Sequence, residues 1–237
     1  MGKRLISANA SEILGMNAEE LKQSIKVSEG RVILSENVAT RESFIGDITN
    51  SEIARAFGAD LILLNGVDVL KPYIFGLEVK EESFVKELQN LVGRPIGVNL
   101  EPVDLEANMA EDRLTISKGR QANLETIKEI ERLGMNFVCF TGNPGTGVTN
   151  TEIEKTIKLA KKYFSGLIIA GKMHGAGVDE PVADMKAIES FIEAGADVIL
   201  VPAVGTVPGF DESELKEVVK LAHSKGALVL SAIGTKI

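Results

Sequence analysis

One unit recurs along this chain. A helix-like stretch closes on a glycine, and a short apolar, largely β-branched run begins within a residue or two. It reads "ARAFGADLILLNG", "ERLGMNFVCFTG", "KKYFSGLIIAG", "IEAGADVILVPAVG" and "HSKGALVLSAIG". Glycine belongs at such a junction because the residue after a helix often adopts a left-handed conformation. The apolar runs do not alternate with polar residues, so they suit strands buried on both faces: parallel strands covered by helices. In the second half the unit returns about every 30 residues, the length of one βα step.

Seven strands follow from this pattern: Val32–Ser35, Leu61–Leu64, Ile96–Leu100, Phe137–Phe140, Leu167–Ala170, Val198–Val201 and Leu228–Ser231. Helices fall between them. Asn17-x-x-Glu20, Thr149-x-x-Glu152 and Asp211-x-x-Glu214 read as capping boxes at helix starts. A helix over Asn17–Ser28 precedes the first strand, making residues 1–30 an extension that covers one end of the sheet. Two α/β architectures compete. A doubly wound sheet usually carries a GxGxxG turn after its first strand, and "SENVATRESFIGD" has none. A barrel places its polar chemistry at the C-terminal strand ends. That is where Glu36, Asn37, Asn65, Asp68, Asn99, Glu101, Thr141, Asn143, Lys172, His174 and Lys236 fall. The expectation is one (β/α)8 TIM-barrel domain over residues 1–237, with an extra N-terminal helix. The chain ends just after the seventh strand, at "SAIGTKI". The abrupt apolar Ile237 favours a shortened sequence. A segment supplied by another chain would also account for this ending, as would a strand count off by one.

Bulk properties narrow the partners. The chain has 237 residues, 44% hydrophobic and 25% charged, with a net charge of −8. That charge speaks against a nucleic-acid partner and a membrane-surface role. The single cysteine, Cys139, excludes a disulfide framework and reads as a buried structural thiol. The N-terminus lacks the apolar core of a signal peptide, and no apolar run approaches the roughly 20 residues of a membrane span. The protein reads as cytoplasmic, with a small anionic molecule as ligand and self-association into a homo-oligomer.

"FTGNPGTGVTN", Phe140–Asn150, has the strand–glycine turn–helix layout of a phosphate cradle. Gly142-x-x-x-x-Gly147 even has P-loop spacing. A P-loop then needs Lys and Ser/Thr, whereas Val148 follows here, so ATP or GTP is not implied. A weaker anion site at a helix N-terminus, contacted through Asn143, Gly145 and Thr146, remains, against a plain tight connection. "VPAVGTVPGFDESELKE" and "SAIGTK" repeat the glycine theme after the last two strands, where barrels often bind phosphate. Gly205, Thr206, Gly234 and Thr235 are the candidates there.

"GLIIAGKMHGAGVDEP" is the most chemical stretch. Lys172 suits a Schiff base or an anion anchor. His174 suits general acid–base work near neutral pH. His223, in "VVKLAHSKG", reads as a surface cation at a helix C-terminus. Among the acids, Glu36, Asp47, Asp68 and Glu101 could join Asn65, Asn99 and His174 in an oxygen-rich site for Mg²⁺ or a similar hard cation, with Glu36 and Asp68 as ligands. Glu101 stands directly after a central strand and reads as a second catalytic carboxylate. Residues 101–121 are long for a βα loop. With Lys118 and Arg120 they read as a lid that brings cations to the substrate, or as an ordinary surface insertion.

"GDITNSEIARAFGADLILLNG", "TGNPGTGVTN", "GKMHGAG" and "VPAVGTVPGF" together resemble an uncharacterised bacterial family of (β/α)8 barrels. That family is loosely similar to the phosphoenolpyruvate mutase and isocitrate lyase barrels and to other phosphate-binding barrels. The resemblance implies lyase or mutase chemistry on small carboxylate or phosphorylated substrates with Mg²⁺. The Lys-Cys-Gly-His segment of the lyase group is not present, and Lys172-Met173-His174-Gly175 does not reproduce it. The expected function is therefore aldolase-like carbon–carbon lyase or isomerase chemistry on a small phosphorylated or carboxylated metabolite. The alternative is a non-catalytic barrel that binds such a metabolite in a regulatory or assembly role.

Overall fold

The computed structural model describes residues 2–78 and 83–233. Seven strands form one parallel sheet in sequence order. They are β1 (Leu34–Val38), β2 (Leu61–Asn65), β3 (Ile96–Leu100), β4 (Phe137–Phe140), β5 (Leu167–Gly171), β6 (Val198–Pro202) and β7 (Leu228–Ala232). Helices α1 (Ala10–Leu14) and α2 (Ala18–Lys26) precede β1. Then α3 (Asn50–Ala56), α4 (Phe84–Val92), α5 (Leu124–Leu133), α6 (Asn150–Tyr163), α7 (Met185–Ala194) and α8 (Glu212–Ser224) alternate with the strands. Six strands begin at the residues the sequence predicts. The first begins two residues later and takes in Glu36 and Asn37, polar residues that masked the run.

Period-two alternation of side chains divides the core into two clusters. Ile62, Leu64, Ile96, Val98, Val138, Phe140, Ile168 and Ile199 face the helices. Leu61, Leu63, Phe137, Cys139, Leu167, Ile169, Val198, Leu200 and Leu228 face the other way and pack together. Gly97 lies on this second face because a Cβ there would stand 2.3 Å from the Phe137 ring. One cavity of about 280 Å³ is lined by Leu34 of β1, Leu61, Phe137, Ile169, Val198 and Leu228 of β7. Only a curled sheet can bring its first and last strands to one cavity, so the architecture is a TIM-barrel-like (β/α) fold.

The N-terminal elements enter that interior. Leu5, Ile13 and Leu21 are buried in the same cluster as the inward strand residues. Lys22 pairs at 3.2 Å with Asp197, immediately before β6. Asp197 also accepts the Ile168 amide at 3.0 Å, tying α2 to the N-terminal ends of β5 and β6. Capping boxes are present at Asn17/Glu20 and Asp211/Glu214. At α6, Thr149 caps the Glu152 amide. Helix α5 starts after its N-cap Asn123.

Candidate active site

β3 decides the geometry. Asn99 and Glu101 share the inward parity of Gly97, so both turn into the C-terminal end of the barrel, where the cross-strand register sets Asn99 beside Cys139. Glu101, 1% exposed, accepts three N–H donors: Arg120 Nη2 at 2.8 Å, Asn143 Nδ2 at 2.9 Å and the Asn143 amide at 2.9 Å. Asn143 also exchanges a reciprocal amide pair with Asn65, at 3.0 and 3.1 Å. Four sequence-predicted residues, Asn65 at the end of β2, Glu101 just after β3, Asn143 in the loop after β4 and Arg120 in the segment between β3 and α5, thus form one network.

Beside it, Asn99 Nδ2 donates to Glu36 Oε1 at 2.7 Å. Asn99 is 4% exposed, yet its Oδ1 has no partner. Such an orphaned acceptor costs about 1–3 kcal/mol and needs an explanation. Glu36 lies on β1 and is exposed as a residue, with its carboxylate oxygen held by Asn99. Burial raises its pKa; hydrogen bonds from Asn99 and Asn65 oppose this, and the Glu101 charge adds to it. Cys139 is fully buried, its thiol pushed well above its ordinary range by burial and then by Glu36.

Lys172 sits elsewhere. It follows Ile168 and Ala170 in parity and turns away from the barrel axis. Its Nζ binds Glu180 at 2.7 Å and the Val148 carbonyl at 3.4 Å, and it is 3% exposed. Glu180 in turn accepts the Asn150 amide at 2.9 Å, at the start of α6. Glu180, eight residues after Lys172 in a glycine-rich loop, was missed by the motif reading. His174 accepts the Ala176 amide on Nδ1 at 3.1 Å, which leaves Nε2 as the protonated nitrogen of the neutral ring. Burial, then the Lys172 charge, lowers its pKa; Glu101 and Glu111 act in the opposite direction.

The glycine loop is packed against another part of the chain. Residues 101–121 form a strap laid across it, bridging Val103 to Val148 and Met109 to Val178. Asp104 N donates to Gly147 O at 2.9 Å and Leu114 N to Gly145 O at 2.8 Å. A Cβ on Gly147 would stand 2.2 Å from Arg113 Nη1, and Gly145 and Gly147 have φ of 73° and 75°. The glycines make room for the strap. Three of the loop's amides are already used: Asn143 N by Glu101, Thr146 N by Asn143 O, and Gly147 N by Ala176 O. The Thr146 hydroxyl donates to Asn143 O at 2.7 Å.

The remaining candidates lie apart from this network. Asp68 Oδ1 accepts the Leu70 and Lys71 amides at 3.0 and 3.1 Å, and packs on Gly119, where a Cβ would meet it at 1.6 Å. Gly205 and Thr206 lie exposed after β6; Thr206 donates to Ala203 O at 2.6 Å. The next helix N-terminus is filled by Asp211, whose pKa is lowered to about 2 by its bonds with Glu214 and Ser213. Lys118 pairs with Glu125. Asn37 faces α3 by parity and Asp47 is exposed. His223 is exposed in the last turn of α8. Gly234, Thr235 and Lys236 lie outside the described residues.

A family model described as "Domain of unknown function (DUF7916)" matches residues 6–237. The chain belongs to the DUF7916 family. No curated protein matches it in sequence. Among solved structures, the DUF7916 chain is similar in fold to a candidate lyase/mutase from Burkholderia cenocepacia J2315. The identity is 14%, over 91% of this chain and 74% of that one, with a TM-score of 0.52. A phosphonopyruvate hydrolase in complex with oxalate and Mg²⁺ matches at 15% identity, over 90% and 71% of the two chains, TM-score 0.49. A 2,3-dimethylmalate lyase of the PEP mutase/isocitrate lyase superfamily matches at 12%, over 95% and 80%, TM-score 0.48. The sequence resemblance to a family of (β/α) barrels agrees with the family match and with the fold of the Burkholderia structure. The likeness is one of fold.

Whether this DUF7916 site suits a hard divalent cation can be judged from its oxygens. Among the described residues no three His, Cys, Asp or Glu side chains converge. The available donors are the Glu36 carboxylate and the orphaned Asn99 Oδ1, since Glu101 is already engaged by three N–H groups. Mg²⁺ keeps several waters and takes one or two carboxylates, and this pair fits that mode of binding. Among the described residues, no helix is long and apolar enough to cross a membrane.

Proposed function

We infer that this chain is a lyase-type enzyme that breaks or forms a carbon–carbon bond in a small carboxylated or phosphorylated metabolite at the C-terminal end of its strands. The observation that carries this reading is Asn99 Oδ1. It is a buried acceptor without a partner inside an otherwise bonded network, next to a carboxylate of raised pKa. Unsatisfied buried groups and displaced pKa values are what a ligand site retains.

Each side chain then has a role. Glu36 and Asn99 would hold Mg²⁺, which when bound supplies the positive charge an anionic substrate needs. The nearby basic groups are already committed, Arg120 to Glu101 and Lys172 to Glu180. Asn65 and Asn143, locked together, orient the substrate with their amides. Glu101 holds Asn143 and Arg120 in place. His174, with Nδ1 fixed, moves protons through Nε2. A Schiff base on Lys172 would require breaking a buried ion pair, so proton transfer at His174 is favoured over it, and Lys172 is assigned to positioning its loop. The glycines at 145 and 205 and the hydroxyls of Thr146 and Thr206 form loop framework around the mouth.

The test is calorimetry with MgCl₂ and then a panel of small 2-oxo and hydroxy carboxylates, followed by turnover assays. Wild type is expected to bind a carboxylate only with Mg²⁺ present. Glu36→Gln and Asn99→Leu should lose that binding. His174→Gln should keep it and lose turnover by about 10²–10⁴-fold. A wild-type protein that binds neither Mg²⁺ nor any of the carboxylates would sink the reading. Tight binding with no turnover across the panel would instead favour a metabolite sensor, the reading suggested by the pairing of Arg120 and Lys172 with the chain's own acids.

A further inference from the structure

The strap is pinned on both sides of a short charged stretch, Glu111-Asp112-Arg113. Ala110 N donates to Gly177 O at 2.8 Å, and Leu114 N donates to Gly145 O at 2.8 Å. Between these anchors lies Glu111. A Cβ placed on Gly177 would stand 3.1 Å from Glu111 Oε1, and one on Gly145 would have that same oxygen at 3.7 Å. Gly177 has φ 81° and also lies 2.8 Å, by the same measure, from Met109 Cε. The carboxylate therefore rests over the turn that begins at His174, whose ring is fixed through Nδ1 by Ala176. Glu101, from the strand end, and Glu111, from the strap, are the two carboxylates whose charge favours the His174 imidazolium, against Lys172 two residues before it and the burial of the ring.

We propose that Glu111 is the positioning carboxylate of His174: carried in by the strap, it stabilises the imidazolium formed when Nε2 takes up a proton, so the proton carrier is complete only with the strap seated. The proposal rests on the reading of His174 as the proton carrier. It gives the long segment a purpose beyond cover. A strap that lifts takes its charge away, and the imidazole then holds a proton less well. A carboxylate several ångströms away, across a partly wet mouth, shifts an imidazole by a fraction of a pH unit to about one unit.

The chain has two histidines, so the experiment carries its own control. The imidazole resonances are titrated by NMR in wild type, Glu111→Gln, Glu111→Asp and Asp112→Asn. Glu111→Gln should lower the His174 midpoint by roughly half a unit, because a negative charge that favoured imidazolium has gone. Glu111→Asp should restore most of it. Asp112→Asn, which removes the neighbouring charge, should leave it in place, and His223 should not move in any variant. An unmoved His174 in Glu111→Gln, or an equal shift in Asp112→Asn, overturns the pairing. The titration needs no substrate. Its failure would remove Glu111 and leave the role of His174 standing, whereas full turnover in His174→Gln would remove that role and leave the pair.

Discussion

Single residues here are read best through what they already touch. Lys172 was the most conspicuous chemical residue in the sequence, on a strand end before a glycine-rich loop. Its partner could not be seen, because Glu180 reaches it only once β5 and the start of α6 are adjacent. Breaking a buried pair by removing one member costs about 3–5 kcal/mol. Lys172→Ala should therefore lower the urea midpoint with an unchanged slope, at a cost of about 3 kcal/mol, since Glu180 is part exposed. Lys172→Ala/Glu180→Ala should fall short of the sum of the single variants by about 1–3 kcal/mol; additive costs would show that the pair is not coupled. Glu36 gives a second, oppositely signed outcome. Its folded pKa is raised, so between the ordinary value and the raised one the native state binds more protons than the unfolded chain. Stability then rises as pH falls through that window, and the charged form weighs on the fold above it. Glu36→Gln should raise the melting temperature at pH 8 by about 1–2 °C, with the gain shrinking towards pH 4.5. A lower melting temperature at pH 8 would contradict the raised pKa.

At the level of elements, the helices and strands were legible because each follows a local rule: glycine after a helix, an Asx or Thr cap before one, an unbroken apolar run between. The strap and the glycine loop were not. "FTGNPGTGVTN" has the spacing of a phosphate cradle, and only the packed structure shows Arg113, Met109 and Glu111 resting on the glycines. That contact is testable. Gly147→Ala places a methyl where Arg113 Nη1 now lies and forces alanine to a φ of 75°. Arg113 can swing away, so the expected cost is mainly the backbone strain, about 1–2 kcal/mol. The strap should loosen, and trypsin should cut after Arg113 faster than in wild type. Cleavage at an unchanged rate would mean the strap is not held by this loop.

Across the whole molecule, among the described residues, β1 and β7 are the outermost strands of the sheet, and the apolar cavity is lined by Val32, Leu34, Leu228 and Leu230. Ile33, just before β1, and Ile233, just after β7, stand exposed at 58% and 82%. Exposed large apolar side chains invite association. Sedimentation velocity at micromolar concentrations should show species heavier than one chain, and Ile33→Lys with Ile233→Lys should shift them towards the monomer. A wild-type chain that sediments as a monomer throughout would show that this apolar surface does not drive association. The sequence alone determined the seven strands, their parallel order and the C-terminal face where polar residues gather, because periodicity and caps are properties of neighbours along the chain. It also marked Asn65, Asn99, Glu101, Asn143 and His174. Only the tertiary structure decided that Asn65, Glu101, Arg120 and Asn143 form one network, that Lys172 belongs to another, and that Glu111 rests against Gly177 and Gly145. Those pairings join residues 8 to 78 positions apart. Whether two such side chains meet depends on strand register and on which face each turns to, and neither is written in local spacing.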